Sequence, residues 1–551
     1  MKKTVLFLSV LFLAVQSFAA NPVGNDHILN AMYDMPRIGC TNFVGGAIDE
    51  TAKLQAVYSK FNNVNPASLR DSSYTIYFPG TLYKINEKVN GEGYVKIVGD
   101  EGKTFFYYDI ATTIGESEPM ILFIGKSKIY MNGIGFLGSH DKLIGAYVQC
   151  NSSPNPNDSL TFSHCYFGDG AVQNALNFGA AGNDADYAYY NDHVLVEWSQ
   201  FKHIWTTGYR TILDDLTGSF YKYNNRGIHL QQTTLRAKVL HCDFEDISSD
   251  GICGKGSTLA MKTHRKMGRY YANWEFAYLN GWRCFMMIEL NGNRRGSKVS
   301  IHDCNFSNST RRGGYLISCN LSDKLKIQNN NLENDNRGLI EYSGNNCIIS
   351  GNIGDITSEL DTTVGTATSP MDPGSNRIHF IEANGCDNLM TENIFTCTRK
   401  NPAPNAPAEF NGIAINGMTT SPEYGDTVYN GSKIPTGNRI SNNIISGCTH
   451  RCIDVTIALA SNLVIEHNTF NMDTMVASPI EIWGPNWMVK MNTFNMGGNP
   501  APGSNKVIRV RTVNGQTNYS GAQVYYNITF NAAWGYDTRF TNCGNTVKPA
   551  L

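Results

Sequence analysis

The residues best able to do chemistry are concentrated between positions 229 and 342. Lys262, His264, Arg265, Lys266 and Arg269 stand close together, followed by Tyr270, Tyr271, Trp274, Tyr278 and Trp282. Arg294–Arg295, Arg311–Arg312 and Arg337 come next, interleaved with Glu289, Tyr315, Glu341 and Tyr342. Guanidinium groups bind carboxylate and sulfate through paired hydrogen bonds, and aromatic faces accept sugar rings and cations. Such a wall suits an acidic, ring-built polymer; a neutral one would not need it. Two reactions fit. Elimination beside a carboxylate needs a base for the α proton and positive charge for the enolate. Lys262, His264 and His229 are the candidate bases, Arg311 or Arg312 the carboxylate clamp, and Tyr342 or Tyr315 the proton donor. Hydrolysis instead needs two carboxylates, for which Glu289, Glu341 and Glu382 are the candidates. Arg265, Arg269, Arg294, Arg295, Arg311, Tyr315, Arg337 and Trp483 are assigned to substrate binding. Each piece has a structural reading too: a basic run is a solvated loop, aromatics pack that loop, and glutamates decorate a half-buried strand.

What positions these groups is a recurring phrase, in which a β-rich run leads to Asn or Cys, one residue, then a large apolar residue. The column is Cys165, Cys242, Cys304, Asn330, Asn443, Asn468, Asn492 and Asn527, joined by Asn393 and Ser199. Positions 304 and 330 are 26 apart, 443 and 468 are 25 apart, and 468 and 492 are 24 apart. Strand patterns at such a period mark a solenoid. Period-two alternation sends the aliphatic residues inward, and no hairpin dipeptide recurs at regular places, so parallel coils are expected. Stacked coils let each Asn amide bond the next, with Cys as a small buried substitute. In the strands 227–232, 284–290, 314–320, 338–343, 377–383, 412–418, 452–457 and 479–484, the outward set includes His229, Gln231, Glu289, Asn416, Asp454, Glu481 and Trp483. The phase is open between Glu341 and Tyr342, and between His379 and Glu382. Glu289 and Glu341 would then be ~9.5 Å apart, and Glu341 and Glu382 ~4.8 Å. Those separations bracket the inverting (~6.5–9.5 Å) and retaining (~5–5.5 Å) geometries of glycosidases.

The ladder phrase resembles the right-handed parallel β-helix of the pectate lyase-like superfamily, over roughly residues 70–535. The resemblance implies an all-β solenoid whose ligands lie across the listed sheet. It further implies a helix plugging the N-terminal end, for which Ala47 to Phe61 has the amphipathic pattern. It is similar in fold to chondroitinase B and alginate lyases, with a Lys or Arg base and with Arg or calcium neutralising the uronate. Calcium therefore stays open as a cofactor, and the metal ligands stay unassigned. The polygalacturonase signature is missing, and Asp214–Asp215 is the only Asp pair.

Residues 1–20 read as a secretory signal peptide, 21–70 as an N-terminal segment, and 71–551 as one β-helix with a long loop insertion at about 245–283. Export to periplasm or medium follows, without a membrane-spanning segment. The 14 cysteines read as mostly free buried thiols, because several occupy the ladder. CxxC, HExxH and Walker patterns are absent, and a net charge of −2 gives no sign of a nucleic-acid partner. The expectation is a monomeric polysaccharide lyase acting on an anionic, uronic-acid-containing polymer. Glycosaminoglycans such as chondroitin sulfate or hyaluronan come first, then alginate or pectic backbones. The alternatives are a glycoside hydrolase and a non-catalytic carbohydrate-binding β-helix.

Overall fold

Each coil of the chain makes three short parallel strands, and the coils stack so that like strands align. The computed structural model describes residues 28–30 and 74–549, apart from 81, 86, 92–94, 109–117, 125–127, 139–142, 153–158, 181–190, 206–224, 232–233, 256–272, 292–297, 309–313, 321, 335–337, 357–376, 399–408, 417–433, 456–459, 473–476, 499–504, 514–515 and 541–542. Sheet 1 has 16 strands, from Ile28–Asn30 to Gln523–Tyr525. Sheets 2 and 3 are joined because strands such as Tyr166–Ala180, Asp243–Lys255 and Asn280–Asn291 run from one into the other. Every described pairing is parallel except Thr512–Val513 with Gln516–Thr517. The result is a right-handed parallel β-helix, as the repeat predicts. The expected N-terminal helix and signal peptide lie outside the described residues. Among the described residues no helix is long and apolar enough to cross a membrane.

The bend from sheet 1 to sheet 2 explains the phrase. A residue with positive φ precedes each ladder position: Asn329 (56°), Glu392 (59°), Asn442 (57°) and His467 (56°) precede Asn330, Asn393, Asn443 and Asn468. Side chains other than Gly tolerate this region poorly, so the stacked hydrogen bonds must hold it. They do so from coil to coil: each main-chain N–H donates to the Asn Oδ1 of the next, at 3.0–3.1 Å from Asn330 through Asn352, Asn393, Asn443, Asn468, Asn492 and Asn527 to Asn545. Asn352 and Asn545 are ladder members that the sequence reading missed, because Gly354 and the smaller Val547 stand where the phrase has its large apolar residue. A second ladder at another bend, Cys347 to Asn388 to Asn438, was also missed.

Cys304 sits in the column as expected, its thiol donating to the carbonyl of His302 at 3.2 Å. Burial pushes that thiol up to about 12, which keeps it unreactive. All described cysteines but Cys543 are buried.

Identical inward positions stack along the axis. Phe136, Phe167, Phe201 and Phe244 form a run with centroids 5.1, 4.9 and 5.0 Å apart and nearly parallel rings. Such offset stacks add to area burial at each step.

The region read as an insertion at 245–283 is largely a regular coil. Residues 243–255, 274–277 and 280–291 are strands, and only 256–272 lies outside the description. Ser248-Ser249-Asp250-Gly251 has turn composition, but here small residues let one strand bend from sheet 2 into sheet 3.

Candidate active site

The outer face of sheet 3 carries polar residues at a spacing that simple alternation does not produce. Where each coil bends into sheet 3, two consecutive side chains point inward: Leu316–Ile317, Leu339–Ile340, Phe380–Ile381 and Cys452–Ile453 are all buried. Both N–H groups of such a pair reach one carbonyl, as Cys452 and Ile453 do on Pro479 at 2.9 and 3.1 Å. The residues on either side, three apart, therefore both lie on the outer face. That resolves the open phase between His379 and Glu382 in favour of both. In the second column His229, Cys253, Glu289, Ser318, Glu341 and Glu382 are direct neighbours on successive strands.

Three groups of contacts occupy this face. In the central one, the Tyr315 hydroxyl donates to Glu382 Oε2 at 2.6 Å, spanning two strands. It crosses above Gly338, where a Cβ would stand 2.1 Å from the tyrosine ring. Asn416 Nδ2 donates to Glu382 Oε1 at 2.7 Å, and His379 Nδ1 lies 4.0 Å from Glu382 Oε2. Ser318 Oγ donates to Glu341 Oε2 at 2.9 Å. A phenol and an imidazole, both largely buried, thus pack against two half-exposed carboxylates, which together can give and take protons.

Toward the N-terminal end, Arg226 Nε is 3.4 Å from Asp250 Oδ2, and the Cys253 thiol donates to Glu289 Oε2 at 3.5 Å. Burial, then the Glu289 charge, pushes the Asp250 carboxyl up to about 8, against the pull of Arg226.

Toward the C-terminal end, Arg451 contacts Asp454 Oδ1 at 3.1 Å and Glu481 Oε2 at 3.1 Å, while Arg509 Nε reaches Glu481 Oε1 at 2.6 Å. Arg511 stacks on Trp483, its guanidinium carbon 4.1 Å from the ring centroid. Asp454 and Glu481 are buried, so they depend on these cations. Arg451→Met is expected to lower the unfolding free energy by about 2–3 kcal/mol, held below the usual buried-pair loss because Arg509 and Arg511 stay on Glu481. Urea unfolding followed by far-ultraviolet circular dichroism checks this; an unchanged midpoint would mean that the network is solvated.

The sequence candidates fall as follows. His229, Glu289, Glu341, Tyr315 and Trp483 are on the outer side of sheet 3. Tyr342 is a correction: fully buried, it points into the core in the inward column with Cys319 and Ala383, and it cannot meet a ligand. Trp274 is likewise a core residue of sheet 1, whereas Tyr278 and Trp282 are exposed at the ladder bend and on sheet 2, away from this face. Lys262, His264, Arg265, Arg269, Arg294, Arg295, Arg311, Arg312 and Arg337 lie outside the described residues. Arg226, Asp250, Cys253, Ser318, Arg451, Arg509 and Arg511 were missed. A polar–apolar–apolar–polar signal, as in YLIS, HFIE and RCID, would have found several of them.

No family model matches this chain, and no curated protein matches it. Solved structures are similar in chain path. The tailspike protein of E. coli bacteriophage HK620, in complex with a pentasaccharide, aligns at TM-score 0.44 and 10% identity over 91% of this chain and 74% of its own. Alginate lyase AlyF-OU02 with G6 aligns at TM-score 0.46 and 10% identity over 94% and 88%. A mannuronic acid specific polysaccharide family 6 lyase from human gut microbiota aligns at TM-score 0.44 and 11% identity over 81% and 85%.

Proposed function

We propose that this chain is an exported polysaccharide lyase, cleaving a uronic-acid-containing polymer by β-elimination along the outer face of sheet 3. The observation that carries the reading is the Tyr315 phenol, held 2.6 Å from Glu382 beside His379. In the proposed step a base takes the proton α to the uronate carboxylate. Those electrons form the ring double bond as the glycosidic C–O bond breaks, and Tyr315 protonates the departing oxygen. His379 is the base nearest this phenol; His229, Lys262 and His264 are the further proposals from sequence. Glu382 orients the phenol, and Arg311 or Arg312 is the proposed carboxylate clamp. Glycosaminoglycans lead the substrate classes, ahead of alginate and pectic backbones.

A second reading, hydrolysis, is favoured by one observation: Glu341 and Glu382 stand side by side on neighbouring strands, ~4.8 Å apart along the axis, near the retaining separation of ~5–5.5 Å. One assay separates the two. The purified protein is incubated with chondroitin sulfate, hyaluronan, alginate and polygalacturonate, with and without EDTA. Ultraviolet absorbance from a conjugated uronate is expected with one of them. New reducing ends without that absorbance would replace elimination by hydrolysis, and binding without either product would make the chain a carbohydrate-binding β-helix.

A further inference from the structure

We propose that Asp250, Cys253 and Glu289 form a binding site for a thiophilic divalent cation of the zinc class, on the outer face of sheet 3. One ligand atom from each residue lies within 4.8 Å of the other two, close enough to surround a single ion at ~2.0–2.3 Å. The backbone sets this grouping. Cys253 is directly opposite Glu289 on adjacent strands, and Asp250 is three residues earlier, across the inward step of the bend. His229 is the next residue in the column on the other side of Cys253, in position to complete a fourth contact.

A second observation points to an ion. Asp250 is 1% exposed, and its Oδ1 accepts no hydrogen bond, although Oδ2 faces Arg226. In so dry a place that carboxyl calls for a partner, either the proton it holds beside Glu289 or a cation that replaces it. The charges also close. On binding, Cys253 and the Asp250 carboxyl both lose their protons to solvent, and the S–H contact of Cys253 to Glu289 is replaced by a shared ion. Thiolate and two carboxylates then carry three negative charges, matched by the divalent ion and Arg226. Sulfur among the ligands excludes calcium as the natural occupant, because hard cations take oxygen donors, whereas mixed S, O and N sets suit zinc. Glu289 is the half-exposed member and links the cluster to the surface.

This inference does not depend on the proposed lyase activity, and its test reads metal rather than turnover. The full-length mature protein is stripped with chelator and titrated with Co2+ alone. A thiolate-to-cobalt charge-transfer band saturating near one equivalent, and displaced by Zn2+, is expected. Cys253→Ser should abolish the band, and Glu289→Gln or Asp250→Asn should weaken Co2+ binding by more than about 10-fold. Cys319→Ser, which removes a core thiol, should leave the titration unchanged. A strand-type circular dichroism spectrum in each variant separates loss of the site from loss of the fold; should Cys253→Ser not fold, the Glu289→Gln titration decides. No band in the parent protein, or a band that persists in Cys253→Ser, would overturn the proposal.

Discussion

Tyr315→Phe is expected to lower kcat on the responsive uronate polymer by about 100-fold to 10,000-fold, the span of general acid catalysis. KM should move far less, because the ring stays over Gly338 and only the hydroxyl is lost. Stability should change by no more than about 1 kcal/mol, since the freed oxygen of half-exposed Glu382 can take water instead. That split between turnover and stability distinguishes a proton donor from a packing tyrosine. Full turnover in the variant would reduce Tyr315 to a strut for Glu382 and hand the donor role to a residue outside the described set. Ser318→Ala, which removes only the Glu341 contact, should leave a much larger share of the activity.

The largest loss of stability should come from Asn468→Leu, by about 4 kcal/mol. Asn468 Oδ1 accepts both the main-chain N–H of Asn443, at 3.0 Å, and its Nδ2, at 2.9 Å. Nδ2 of Asn468 in turn donates to the carbonyls of Ile440 and Glu466 and to Asn492 Oδ1, each at 3.0 Å. Leucine keeps the volume but strands the buried main-chain N–H of Asn443 and removes a donor from the carbonyls of Ile440 and Glu466. Nδ2 of Asn443 keeps its bonds to Met390 and Ser441. Each buried group so orphaned costs about 1–3 kcal/mol. Because coils contact only their neighbours, the damage sits mid-stack and breaks the cooperative unit there. Asn545, partly buried at the last step of the ladder, is the comparison: Asn545→Leu should cost about 1 kcal/mol, because water can reach the donors of Asn527. Urea melts of both variants supply the measurement, and equal midpoints would show that the ladder amides are not what holds the bend.

The two variants probe features that differed in how legible they were. The ladder was readable because its cause is local: an Asn or Cys, a strained residue before it and an apolar residue after it stand within one short phrase. Asn352 escaped because Gly354 stands where the phrase has its large apolar residue, and Asn545 because that position holds the smaller Val547. The outer face was readable only in part. Alternation at period two assumes a straight strand, and the bend into sheet 3 turns two successive residues inward. Hence Glu341 and Tyr342 could not be told apart until burial separated them, and Asp250 and Cys253 passed for turn residues.

Sequence by itself determined the coil, the parallel sheets and the inward aliphatic set, because these depend on period and composition over a few residues. Tertiary structure alone decided which outward groups meet. Tyr315 and Glu382 are 67 positions apart, and their contact depends on how many residues each coil spends outside its strands. Ser318 and Glu341 are 23 positions apart, yet Glu341 and Glu382, equally adjacent in space, are separated by 41. Loop length is nearly free in a solenoid, since loop closure costs little extra per added residue, so spacing along the chain carries no register. Strand pairing supplies it, through backbone hydrogen bonds that any sequence can make, and the candidate site exists only once they have formed.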